Sequence, residues 1–281
     1  MNKKLIILPA LFASLLSFSS CGGSVANEKL VIGLECDYQP FNWSTQNESE
    51  YTLKVSNKAN LYADGYDVQI AKLLGEKLNM EVEIMQIDWL SLIPELQFGT
   101  INAVIAGMTD TEERRQSIDF SDEYYRSELV LITSKEIADS YTDVLNADDF
   151  TSLINGKVVI SQVNTVTNSV IDTFATNHGA IHATPVETFA IAATDVSSGL
   201  AFAMTAELPV AQSLVSTFTD LGIIHIDQSI LGKAQAELGV SIGIKKGNTE
   251  LQTKLNQALS EIDNEMRVSL MAEAIERSSN R

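Results

Sequence analysis

Cysteine is nearly missing from this chain, with two in 281 residues. One of them, Cys21, falls at the end of the leader described below, so the mature chain keeps Cys36 alone and an internal disulfide is excluded. Histidine is almost as scarce. His178, His182 and His225 show no zinc-ligand spacing, and no Ser-His-Asp set, phosphate loop or dinucleotide fingerprint stands in a working context. No metal or cofactor is therefore expected. Positive charge is short too: 19 Lys and Arg against 37 Asp and Glu give a formal net charge of −18. Nucleic-acid binding needs a basic face to displace counterions, so that class is set aside.

Only one long apolar run is present, and it stands at the start. Lys3 and Lys4 precede LIILPALFASLLSF, and small residues follow up to Cys21. This is the pattern of a secretory signal over residues 1–20. Ser and Pro interrupt the run too early for a membrane-spanning helix. Ser19-Ser20-Cys21-Gly22-Gly23 resembles the lipobox of bacterial lipoproteins, with Phe18 where Leu is usual. The resemblance implies cleavage before Cys21, lipidation of its thiol, a linker over 21–28 and a chain tethered to the membrane outside the cell. Removing the two leader lysines takes the charge from −18 to −20.

Two α/β series follow. LVIGLE (30–35) reads as a strand, and the polar stretch 42–64 as a long loop or irregular hairpin. DVQIAKLLGEKL carries an apolar stripe at Ile70, Leu73, Leu74 and Leu78, the spacing of one helix face. MEVEI, LSLIPELQFG and INAVIAGM then read as strand, helix and buried strand. The second series starts near residue 157, with KVVISQV, AIHATPV and LAFAMTAE as strands. NSVIDTFATNHG, ETFAIAATDVSSG and PVAQSLVSTF are its helices, and the chain is helical from Asn248 on. LVLITS (129–134) and VSIGIKK (240–246) read as extended crossings between the series. The expected fold is α/β and bilobal, two parallel-sheet lobes joined by a two-strand hinge. Lobe 1 takes 29–133 and 240–281, lobe 2 takes 134–239, and a ligand cleft opens at the strand ends.

The segments CDYQPFNW (36–43), ADGYDVQIAKLL (63–74), DWLSLIPELQFGTINAVIAGM (88–108), TEERRQSIDFSDEYY (111–125), AELPVA (206–211) and VSIGIKKGNTEL (240–251) occur in this order. Together they resemble the polar amino-acid-binding proteins of ABC importers, a branch of the periplasmic-binding-protein superfamily. The resemblance spans 30–275. It implies a receptor that binds a free amino acid and hands it to the transmembrane subunits of an ABC permease, acting as a monomer. Arg114 is then the carboxylate ligand, as suits a planar guanidinium that stays charged when desolvated. Thr111, with Glu112 and Glu113 after it, is a helix cap that turns Arg114 back over the strand end. Thr109 meets the carboxylate or the ammonium, and Gly107 leaves room for the ammonium to approach the backbone.

From lobe 2 the resemblance implies Thr165 and the Val166 N–H at a helix start for the carboxylate, and Glu207 for the ammonium. Tyr38, Phe41 and Trp89 correspond to the family's ligand-stacking aromatics, and Glu35 and Gln162 to readers of the side chain. Phe41 and Arg115 have ordinary readings as well, a core ring and a solvated cation. Two positions depart from the pattern. Asn164 stands for a glycine, which Asn tolerates because it accepts positive φ, and Phe202 stands for an aspartate, which is expected to change packing and leave binding intact. Two other classes fit the same pattern: an enzyme on this scaffold, such as a cyclohexadienyl dehydratase, and a surface adhesin.

Overall fold

The structure is a computed structural model that describes residues 28–280; the leader and the lipidation motif at Cys21 lie outside the described residues. Its short apolar runs become the inner strands of two five-stranded sheets. In the first, the order is Glu81–Gln86, Lys29–Leu34, Ala103–Val104, Gly239–Lys245 and Ile118–Arg126. In the second, it is Ile181–His182, Val158–Ile160, Ala203–Glu207, Leu129–Ser134 and Leu221–His225.

Both sheets have the expected parallel strands, and each also carries an antiparallel one. Four strands of each share one direction, and the strand fourth in the order, Gly239–Lys245 or Leu129–Ser134, runs antiparallel to both neighbours. The reason is where the chain arrives. Leu129 pairs with Glu207, the last residue of a parallel strand, so the chain enters each lobe at the cleft end and must run away from it.

This also moves the hinge. LVLITS is no crossing; its first five residues are fully or nearly buried between two partner strands of the second sheet. The chain crosses at Ser127–Glu128 and returns at Leu238, which puts 129–133 in lobe 2. An apolar run of six looks the same as an extended hinge or a central strand until its partners are known.

The polar stretch 42–64 is also more ordered than expected. It forms strands Asn42–Thr45, Leu53–Lys54 and Tyr62–Asp64, which join Asp37–Tyr38 in a small four-stranded sheet. Helix Asn264–Ser279 clamps this sheet: Arg277 reaches Asp64 at 3.1 Å and lies 4.3 Å from the Tyr51 ring centre. Asn248 and Asp263 cap the two C-terminal helices by accepting the Leu251 and Met266 N–H groups.

Lobe 2 has a core on each face of its sheet. One, around Phe150, Phe174 and Leu231, is separate. The other, with Phe189, Val196 and Met204, is continuous with the lobe-1 core of Ile32, Phe41, Tyr66 and Ile84. Cys36 belongs to that core, 3% exposed, its thiol pushed up to about 12 by burial. Phe202 packs half-buried beside the separate core, with Lys157 Nζ 5.2 Å from its ring centre. No helix among the described residues is long and apolar enough to cross a membrane.

Candidate functional site

The parallel strands of both lobes end at one cleft. Lys29–Leu34 delivers Glu35 and Tyr38, and the buried run after Val104 delivers Gly107 and Thr109. Val158–Ile160 leads to Gln162 and to helix Val166–His178, while Ala203–Glu207 ends at Glu207, where helix Leu208–Thr217 begins. The cavity between the lobes is lined by Glu35, Tyr38, Trp89, Gly107, Thr109, Arg114, Gln162, Thr165, Val166, Phe189 and Glu207. Of the residues that the sequence proposed as ligand contacts, Phe41 is outside this wall, and of the wall itself Phe189 was not named.

Arg114 opens a single 3₁₀ turn, Arg114–Gln116, and Thr111 Oγ1 accepts its backbone N–H at 3.2 Å. The turn is shorter than the expected helix, and Thr111 is not its cap: Glu113 stands at that position and its side chain makes no cap bond. Arg114 Nη1 donates to the Thr109 carbonyl at 2.7 Å, which fixes the fork over the strand end. Nη2 donates across the cleft to the Asn164 carbonyl, also at 2.7 Å. Asn164 has φ of 58°, so this non-glycine residue holds the left-handed turn that aims its carbonyl at lobe 1. The guanidinium carbon lies 5.2 Å from the Trp89 ring centre. Arg115 instead pairs with Asp110 on the surface.

Thr165 caps helix Val166–His178: its hydroxyl accepts the Asn168 N–H at 3.2 Å and donates to the Gln162 carbonyl at 2.7 Å. Thr165 and Val166 at that helix start line the same cavity as Arg114, so the positive end of a helix and a guanidinium meet there from opposite lobes.

The second lobe-spanning contact has the opposite character. Tyr38 Oη donates to Glu207 Oε2 at 2.8 Å. Desolvation pushes the Glu207 carboxyl up, and the Tyr38 bond draws it back. Burial and that carboxylate together hold the Tyr38 hydroxyl well above its usual range. Glu35 sits deeper. Burial pushes it up to about 8, Asp37 adds to the rise, and the Gln162 amide opposes it. The Gln162 amide also donates to the Glu187 carbonyl at 2.8 Å.

Phe41 is fully buried behind Tyr38, ring against ring at 5.1 Å and 13°, with Tyr66 and Tyr125 edge-on beyond it. It supports the wall and does not form it. Phe189 comes from lobe 2 and also stacks with Tyr38, at 5.1 Å and 22°. Its signal in the sequence was its place in VETFA, just after a strand and at the start of a helix. The second lobe offers several such starts, and sequence does not rank them.

A buried relay holds the lobe-1 wall in register. Asp67 accepts from Asn42 Nδ2 at 2.8 Å and from Tyr124 Oη at 2.7 Å. Tyr124 Oη accepts the Gly107 N–H at 2.9 Å, and Asn42 Oδ1 accepts the Cys36 N–H at 2.8 Å. Burial still pushes Asp67 up to about 6.

Gly107 has φ of 58°, and a Cβ there would lie 2.6 Å from Tyr38 Cε1. The space it leaves is taken by the Tyr38 ring. Gly107→Ala is expected to cost about 2 kcal/mol of stability, from left-handed strain plus a displaced ring. Urea unfolding measures it, and an unchanged midpoint would show that the wall is not this tight.

Among the described residues no group of three His, Cys, Asp or Glu is placed to hold a metal ion. The arrangement can neutralise a cation and an anion in one ligand, each from a different lobe.

Comparison with known proteins gives a consistent result. Residues 30–273 match the model of the bacterial extracellular solute-binding proteins, family 3. The ABC transporter arginine-binding protein 1 of Escherichia coli is 26% identical over 260 residues, 92% of this chain and 93% of that one. The arginine-binding extracellular protein of Bacillus subtilis is 32% identical over 118 residues, and that match spans 41% of its length. Among solved structures, an amino acid ABC transporter substrate-binding protein from Streptococcus pneumoniae, bound to L-arginine, superposes with a TM-score of 0.72. It is 23% identical, covering 90% of this chain and 97% of the other, and so speaks to the fold. An ancestral arginine-binding protein bound to glutamine gives 0.67 at 26% identity, covering 88% and 97%.

Proposed function

This chain belongs to the bacterial extracellular solute-binding proteins, family 3, and from that premise we propose that it captures one free L-amino acid between its lobes and delivers it to the permease of an ABC importer. The observation that carries the reading is the shared cavity wall, with Arg114 and Thr109 from lobe 1 facing Thr165, Val166 and Glu207 from lobe 2. Arg114 and the helix start take the carboxylate, and Glu207 takes the ammonium. A zwitterion then completes both charge pairs only when both lobes touch it, so binding favours closure. Glu35 and Gln162, at the same wall, support a polar side chain. The names of the full-length relatives support transport over catalysis.

Two further parts of this reading rest on the sequence. Cys21 carries the lipid that holds the receptor at the membrane surface, supported by the small residues before it. The chain works as a monomer, supported by a cleft built wholly from its own two lobes.

The test is thermal unfolding of residues 22–281, refolded from denaturant, against each common L-amino acid. A ligand at ~1,000 times its Kd adds about 4 kcal/mol and raises the midpoint visibly. A shift for an L-amino acid is the expected result. No shift with any zwitterion would overturn the proposal.

A further inference from the structure

Each charged group assigned to the ligand is also bonded across the cleft to the other lobe. Arg114 Nη2 donates to the Asn164 carbonyl at 2.7 Å, Tyr38 Oη donates to Glu207 Oε2 at 2.8 Å, and the Gln162 amide bonds the Glu35 carboxyl. Phe189 adds an apolar contact of the same kind, its ring stacked with Tyr38 at 5.1 Å. The cavity that these contacts enclose has a volume of about 10 Å³, which is room for roughly one water molecule. No amino acid fits in it. Two of the bonded groups are also fixed within their own lobe. Arg114 Nη1 donates to the Thr109 carbonyl at 2.7 Å, and the Gln162 amide donates to the Glu187 carbonyl at 2.8 Å. When the lobes part, these two side chains keep their aim and lose only the partner across the cleft.

We infer that these contacts form a latch, in which the chain closes on stand-ins for its own ligand: the Asn164 carbonyl takes the place of the ligand carboxylate on Arg114, and the Tyr38 hydroxyl takes the place of the ligand ammonium on Glu207. The inference rests on the amino-acid-receptor reading above and adds what the ligand must displace. Both stand-ins match the zwitterion in hydrogen-bonding sense, an acceptor on the guanidinium and a donor on the carboxylate, but neither carries a charge. A carboxylate on the same fork and an ammonium on the same acid add the attraction of opposite charges in a site shielded from water, so the zwitterion wins the exchange. Binding still favours closure. Its affinity, however, is the difference between the ligand's own charge pairs and the bonds it breaks. Tyr38 thereby sets affinity: its hydroxyl competes with the ligand while its ring stays part of the wall.

The experiment uses residues 22–281, refolded from denaturant to remove bound amino acids, as wild type and as Tyr38→Phe. Each is measured by small-angle X-ray scattering and by isothermal titration with every common L-amino acid in turn. Wild type without amino acid is expected to scatter as the closed structure does and not to contract when one is added. Tyr38→Phe, with the latch loosened, is expected to show a larger radius of gyration before addition. In the titration the variant is expected to bind about 3-fold to 10-fold more tightly than the wild type, the usual net worth of one hydrogen bond. Wild type that contracts on addition overturns the inference and leaves the receptor reading intact. So does a variant that binds no better than the wild type, because the hydroxyl then does not compete with the ligand. Scattering of the wild type decides the matter if the variant does not fold. Two proteins that bind no amino acid at all remove the receptor reading itself, and the stand-in roles with it.

Discussion

Arg114→Ala is expected to weaken amino-acid binding by roughly 100-fold or more, enough to erase the thermal shift that the wild type shows. Truncating one partner of a desolvated charge pair costs about 2–5 kcal/mol, because the ligand carboxylate is left without its fork. The side chain is already aimed, with Nη1 on the Thr109 carbonyl and Nη2 on Asn164. Those two bonds also mean that the variant loses a contact between lobes, so its unfolding must be measured without ligand as the baseline. Arg114→Lys separates charge from geometry. It keeps the cation but cannot bridge two carbonyls and a carboxylate in one plane, and it should fall between the two. Titration calorimetry on the three proteins is the check. An alanine variant with wild-type affinity would place the carboxylate elsewhere in the cleft.

Glu35 governs the second large effect, on stability against pH. Its folded-state carboxyl is pushed up to about 8 from an ordinary 4.5, mainly by burial. Between those values the folded chain holds a proton that the unfolded chain has released. Stability must then fall as pH rises across that window, by an amount on the order of a few kcal/mol for this one group. Asp67, pushed up to about 6, and Glu207, also raised, act in the same sense. Glu35→Gln keeps the shape without the charge. It should match the wild type near pH 4.5, exceed it at pH 8 and leave a smaller slope due to the other two acids. Unfolding midpoints of both proteins from pH 4.5 to pH 9 provide the comparison. Parallel curves would show that Glu35 has water in reach and is not desolvated.

Much of the lobe-1 wall was legible in the sequence because its chemistry is local. Thr111 Oγ1 accepts the N–H of Arg114 three residues on, a local bond that ties the arginine's turn to the strand end before it. Asn164 could be read as a left-handed position because Asn is one of the few residues that tolerates φ near +58°. The helix at 66–78 followed from its apolar spacing, and Gly99 and Gly179 ended their helices as expected, each left-handed at the C-cap.

Two outcomes that the sequence left undecided or misplaced share a cause. LVLITS looked like a hinge because nothing in six apolar residues tells which strands will flank them. Phe41 and Tyr38 are three apart in one segment, yet one is core and the other cleft wall, a division set by Tyr66 and Tyr125 packing behind Phe41.

The sequence by itself determined the two α/β series, the apolar faces of the helices and the bond from Arg114 back to Thr111, since these depend on periodicity and on neighbours a few residues apart. Only the tertiary structure decided where the chain crosses between lobes, which ring covers Tyr38 and which acids lose their water. Those outcomes depend on residues far apart in the chain, such as Tyr38 with Glu207 and Arg114 with Asn164, and no local pattern encodes which of them meet.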